Sequence, residues 1–140
     1  MLGPEMEKKK LEWFNKVIKE FGSCIRLAYS SGISVGFAQF AQTKFFPQVK
    51  DYTSGPPSGD AVFIACLYIT DKDSRGKGIG TAMLDDLVVE LQKRGIKAVE
   101  TFARRSSENN PSGPLELYLK RGFRIVRGEK DDFPLMRREL

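Results

Sequence analysis

The sequence predicts one α/β (α+β) domain spanning residues 1–140, with about six strands and three helices. Three observations predict it. Ala61 to Thr70 is an apolar run rich in β-branched and aromatic residues, the pattern of a buried strand. From Ile79 to Gly95 apolar residues recur at helical spacing and a glycine closes the run, the pattern of an amphipathic helix. Shorter strand-like and helical stretches flank this unit, and 140 residues suffice to bury one core.

Each element has its own signals. Pro4 and Glu5 open a helix that runs to about Phe21 and stops at Gly22, with Leu11, Phe14, Val17, Ile18 and Phe21 expected on its packed face. Cys24 to Ser30 and Ile33 to Ala41 read as a hairpin turned at Ser31-Gly32. Gln42 to Asp60 is a long connection, dense in proline and glycine, which indicates a shaped loop. Its Phe45, Phe46 and Tyr52 are expected either to wall an acceptor pocket or to seal the edge of the core. On the helix after the central strand, Ile79, Met83, Leu87 and Leu91 form a stripe that Gly80, Leu84 and Val88 widen. Ile96 to Ala103 reads as a strand, Arg104 to Ser112 as a polar loop and Pro114 to about Arg121 as a short helix. Phe123 to Val126 and Phe133 to Arg138 read as the last two strands.

Between the central strand and its helix lies Asp71-Lys-Asp-Ser-Arg75-Gly76-Lys77-Gly78-Ile79-Gly80. The first N–H groups of a helix lack intrahelical partners, and the helix dipole is positive there. Glycines allow a bulky anion close to the backbone, and Arg75 and Lys77 add charge, so the turn suits a phosphate. A nucleotide-triphosphate loop is excluded, because G-x-x-x-x-G-K-[ST] is absent. The dinucleotide fingerprint fails as well: Met83 stands where its third glycine belongs, and Asp71 to Ser74 separate strand from glycine, although Glu100 lies near the place of a ribose-binding acid. A tight connection without a ligand is the plain alternative.

Arg75-x-x-Gly78-x-Gly80 after a strand and before a helix resembles the acetyl-CoA signature of the GNAT superfamily of N-acetyltransferases. Tyr118-x-x-x-Gly122-Phe123 resembles a second GNAT motif, and Val35-Gly36-Phe37 resembles the family's third strand. The resemblance covers roughly residues 23 to 140. It implies the GNAT fold, a mixed central sheet flanked by three helices, here with the family's first strand missing. It implies acetyl-CoA as co-substrate, its pyrophosphate on Arg75, Gly76, Lys77, Gly78, Ile79, Gly80 and Thr81, and its pantetheine arm against the backbone of Leu67 and Ile69. The N–H of Leu67 or Tyr68 would serve as oxyanion donor. Tyr118 would protonate the departing thiolate, Asn110 is the nearest match to a family asparagine, and Glu100 is the nearest carboxylate for the acceptor's proton. Tyr118 packing its ring on the core is the alternative for that residue. Position 111 is proline, and the strand-to-glycine connection is about one residue longer than the commonest form.

The implied function is acetyl transfer to an amine of a small molecule or peptide, by direct attack in a ternary complex. The alternative is a non-catalytic acyl-CoA-binding regulatory module on the same fold. The family resemblance also allows a homodimer. Composition narrows the rest. The net charge of +5 is mild and the basic residues are dispersed, which disfavours nucleic acid. Two cysteines, Cys24 and Cys66, with no histidine make no convincing metal site. No apolar run is long enough for a membrane span, and the charged N-terminus is unlike a signal peptide, so a cytoplasmic location is expected.

Overall fold

A computed structural model describes residues 3–105 and 114–140, the side chain of Lys72 excepted. In chain order the elements are α1 (Pro4–Glu20), β1 (Ile25–Ser30), β2 (Ile33–Gln42), β3 (Val62–Ile69), α2 (Ile79–Lys93), β4 (Ala98–Phe102), α3 (Leu115–Lys120), β5 (Arg124–Arg127) and β6 (Leu135–Glu139). Short 3₁₀ turns at Thr43–Phe45, Pro47–Asp51 and Lys72–Ser74 shape the connections. The six strands form one mixed sheet in the order β1-β2-β3-β4-β6-β5. Only β3 and β4 run parallel, joined by the crossover through α2. The expected six strands, three helices and mixed sheet are therefore present, and among the described residues the first element is a helix.

One face of the sheet carries α2 and α3. Ala38, Phe40, Val62, Ile64 and Leu67 pack there against Leu84, Leu87, Val88 and Leu91 of α2 and Tyr118 of α3. Leu84, Leu87 and Leu91 are fully buried, each contributing about 2 kcal/mol of transfer free energy. Gly36 makes the fit possible: a Cβ there would stand 2.8 Å from the Tyr68 carbonyl oxygen and 3.3 Å from Met83 Sδ. Glycine thus lets the first turns of α2 close on β2 and β3.

The other face carries α1 and the 43–60 connection. Val17 meets Cys24, Ala41 and Phe45, while Phe63, Phe102 and Leu135 are covered by Phe46, Val49 and Phe133. The packed face of α1 is turned from the one expected. Trp13, Phe14, Val17 and Phe21 face inward, whereas Leu11 and Ile18 are exposed. The Trp13 indole N–H donates to the Phe45 carbonyl at 2.8 Å and fixes that rotation. A stripe at i, i+4, i+8 through 13, 17 and 21 buries larger rings than the stripe through 11 and 18.

Candidate active site

The approach to α2 is built by the polar residues Asp71 to Ser74. Asp71 accepts from the Ser74 hydroxyl at 2.8 Å and from the Asp73 N–H at 3.2 Å, so its carboxylate organises the 3₁₀ turn Lys72–Ser74. This polar run lets the chain turn from the strand into the glycine stretch. Gly76 and Gly78 then adopt φ of 77° and 80°, left-handed values that side chains disfavour. Gly78 is the N-cap of α2, and no side chain caps it. No acid occupies the first turn, and the first backbone bond into the helix runs from Ala82 N–H to Gly78 C=O. The N–H groups of Ile79, Gly80 and Thr81 thus have no acceptor within the helix.

Beside this turn the sheet opens. β3 and β4 pair only at Val62↔Val99 and Phe63↔Glu100, although β3 continues to Ile69. Thr70 N–H donates to Val35 C=O at 2.9 Å, so by strand alternation Leu67 and Ile69 turn their backbone groups away from β2, toward the gap. Tyr68 has the opposite parity. Its backbone belongs to the β2 ladder, so of the two expected oxyanion donors only Leu67 has its N–H toward the gap. The Tyr68 hydroxyl accepts from Arg75 Nη2 at 3.0 Å, and Arg75 Nε and Nη2 also donate to the Ile69 carbonyl at 3.3 and 3.2 Å. The guanidinium therefore fastens the turn to the end of β3. Lys77 is exposed, and Thr81 is half-buried.

Tyr118 lies where the strands part. Its side chain is fully buried, with its ring edge-on to Phe123 at 5.1 Å. Its hydroxyl shares a hydrogen bond with Thr101 of β4 and lies near Cys66 of β3. Thr101 Oγ1 donates to the Ile64 carbonyl at 2.8 Å, just beyond the last strand pair. Burial pushes the phenol well above its ordinary range, so it holds its proton at neutral pH. Burial raises the Cys66 thiol as well.

Glu100 points the other way, being next to Thr101 on the strand. It is buried, neither lining the gap nor facing solvent. One carboxylate oxygen accepts the Ser58 N–H at 2.6 Å, and the other accepts Arg137 Nη1 at 3.1 Å. Arg137 also bonds Asp60 and Glu139, and these partners raise its pKa. The residue expected to accept the substrate's proton thus ties the 43–60 connection to β4 and β6. Asn110 lies outside the described residues.

The loop aromatics occupy two different places. Phe45 and Phe46 pack on the sheet. Tyr52 stacks on Phe102 at 4.3 Å and lines a polar cavity of about 500 Å³ between residues 51–54 and the turn 130–133. Thr101 and Arg137 are site and scaffold residues that sequence reading missed. Period-two alternation would have separated Thr101 from Glu100, but it does not say which of the two meets the gap.

The family model described as the acetyltransferase (GNAT) family matches residues 2–123. The chain belongs to the GNAT family. No curated protein matches it. Among solved structures this GNAT chain is similar to the ribosomal-protein-alanine N-acetyltransferase from Brucella melitensis, with 19% identity, TM-score 0.64, and 95% of this chain and 78% of that chain covered. It is also similar to the PaiA N-acetyltransferase from Thermoplasma acidophilum in complex with coenzyme A (15% identity, TM-score 0.63, coverage 100% and 81%). A third similar structure is an N-acetyltransferase from Staphylococcus aureus Mu50 (22%, 0.60, 95% and 75%). Membership makes the chain an N-acetyltransferase at the level of the family.

The residues of this GNAT chain fit the acyl-CoA donor that the sequence resemblance implies. A Cβ at Gly76 or Gly78 would meet nothing within 4 Å, so the left-handed backbone faces open space at an uncapped, acid-free helix start. Among the described residues no group of three or more His, Cys, Asp or Glu side chains could hold a metal ion. Nor is any described helix long and apolar enough to cross a membrane.

Proposed function

We propose that the chain is an acetyl-CoA-dependent N-acetyltransferase in which donor and amine meet in a ternary complex at the gap between β3 and β4. One observation carries this: the gap has the uncapped start of α2 at its mouth and a protonated, buried phenol where the strands part. Acetyl-CoA would supply the activated acyl group and a thiolate leaving group.

The chain's own groups have separate tasks. The N–H groups of Gly76 to Thr81 bind the diphosphate, with the charge of Lys77 nearby. Leu67 and Ile69 offer backbone groups to the amides of an extended arm, as a sheet edge accepts a further strand. The Leu67 N–H polarises the acyl carbonyl. Tyr118 holds a proton for the departing sulfur, and Thr101 orients its hydroxyl. Glu100, held by Ser58 and Arg137, takes no proton in this scheme, and the proton lost by the attacking amine passes to water. The acceptor is an amine of a small molecule or peptide, and positioning it against the thioester supplies much of the rate.

Full burial of Tyr118 also favours a second reading, an acyl-CoA-binding module without turnover. Isothermal calorimetry with coenzyme A, followed by thiol release from acetyl-CoA over an amine panel, separates the two. Heat and release support the transferase. Heat without release from any amine supports the module. Absence of heat overturns both.

A further inference from the structure

We infer that the acceptor is a free amino acid, held through its carboxylate by Arg104 while its amine meets the thioester. The inference rests on the acetyl-transfer reading and names the acceptor class for that site. Among the described residues every other arginine has an oxygen partner, either a carboxylate or a backbone carbonyl. The Arg104 side chain has none there, and its Nε is shut off from water without an acceptor. Its guanidinium lies instead over the Phe133 ring, 5.1 Å from the centroid. A buried donor without an acceptor is rare in a folded protein and calls for a reason. A guanidinium presents a planar fork that matches a carboxylate, so a carboxylate on the acceptor would complete it.

Arg104 also stands on the side from which an acceptor must come. It follows the end of β4 at Phe102, where β3 and β4 have ceased to pair. Its carbonyl accepts the Leu115 N–H at 2.9 Å, at the start of the helix that carries Tyr118. By alternation its side chain follows Glu100 and Phe102 onto the face opposite α2 and α3, and the contact with Phe133 agrees. Because α2 and Tyr118 occupy the first face, an amine reaches the acyl carbon from the second. There Tyr52 and Phe133 meet edge to face at 5.8 Å and form the aromatic wall of the cavity of about 500 Å³. That volume suits a small molecule.

The charges around the cavity suit the two ends of such a molecule. Asp51, Asp131 and Asp132 line it against Lys130, an excess of negative charge that draws an ammonium group and disfavours a second carboxylate. An amino acid carries one group for the acids and one for the arginine. Its ammonium gives up a proton to water before attack. The nitrogen then bonds the acyl carbon as the carbon–sulfur bond breaks. The sulfur takes the Tyr118 proton, water takes the proton left on nitrogen, and water restores the phenol.

The test is thiol release from acetyl-CoA with the standard amino acids, their carboxamides, simple alkylamines, and C-terminally amidated peptides that begin with Asp or Glu. At least one amino acid should be a substrate, with kcat/KM at least about tenfold above that of its own carboxamide. Arg104→Gln should raise KM for that acid about tenfold and leave kcat within a few-fold, with the carboxamide's KM unmoved, so the preference disappears. Its melting curve and coenzyme A calorimetry should match wild type. If it misfolds, Arg104→Lys, which keeps the charge and loses the fork, decides by the same ratio. Equal use of acid and carboxamide by the wild type overturns the inference, as does an equal loss for both in the variant. Release only from alkylamines or only from the peptides overturns it as well, with the acetyl-transfer reading intact. Release from no acceptor overturns that reading and the inference with it.

Discussion

The two faces of β4 hold opposite chemistry within two adjacent residues. On the α2 and α3 side, Thr101 meets Tyr118 among apolar groups, and the contact is a neutral hydrogen bond. On the other side, Glu100 meets Arg137 in a charged network that also engages Asp60, Glu139 and the Ser58 N–H. Both pairs are shielded from water, yet only the neutral one lies beside the gap. A buried charge pair requires fixed partners to offset its lost hydration. A buried phenol keeps its proton without such partners. In the proposed mechanism, the proton for the leaving thiolate is therefore held on the face without charges.

The largest expected effect comes from removing the hydroxyl on the neutral face. Tyr118→Phe keeps the ring that packs on Phe123 and deletes the proposed proton donor, so kcat should fall by roughly 10²–10⁴-fold with coenzyme A affinity retained. The same variant has a pH signature. Burial raises the folded phenol above its unfolded value near 10, so its contribution to stability is complete below about pH 10 and lost as pH rises beyond it. Melting temperature against pH should fall less steeply above pH 10 in Tyr118→Phe. Unchanged turnover together with an unchanged alkaline slope would make the hydroxyl a packing feature alone.

On the charged face the prediction reverses. Arg137→Met leaves Glu100 buried without its cation, which should destabilise the fold by about 3 kcal/mol in urea unfolding. Glu100→Gln removes the charge itself and keeps an acceptor for Ser58, so it should retain kcat within a few-fold. If Glu100→Gln instead abolished turnover with normal folding, Glu100 would be the base and the contrast between the faces would fail.

How far the sequence discloses all this depends on the range of the interactions involved. The helix α2 and its glycine turn follow from neighbouring residues, because the apolar stripe, Gly78 and Gly95 act within a few positions. The hairpin and the short α3 are equally local. The fate of Glu100 is not, since its partners Ser58 and Arg137 lie 42 and 37 residues away in sequence. The rotation of α1 is set from 32 residues away by the Phe45 carbonyl, so the apolar stripe alone takes in Leu11 and Ile18 and leaves out Trp13. The opening between β3 and β4 is also tertiary. It appears where strand register ends, and nothing in residues 61–70 or 96–103 marks that point.

The smallest expected effect concerns how α3, and with it Tyr118, is held on α2. Arg121, just past the end of α3, makes a two-pronged hydrogen-bonded ion pair with Asp85 of α2. The Arg121 guanidinium holds the Asp85 carboxyl below its ordinary value. A depressed carboxyl adds stability that is fully present above its unfolded pKa, near 4, and lost as pH falls through the lower folded value. Both side chains are more than a third exposed, so screening by water keeps the pair weak. Asp85→Asn should therefore lower the melting temperature slightly at pH 7 and flatten the acid limb of the stability curve below pH 4. Because Tyr118 is anchored chiefly by burial, turnover should stay near wild type. A large loss of activity in Asp85→Asn with an intact melt would show that the ion pair, rather than the apolar contacts, positions the phenol, and the neutral face would then depend on a charge after all.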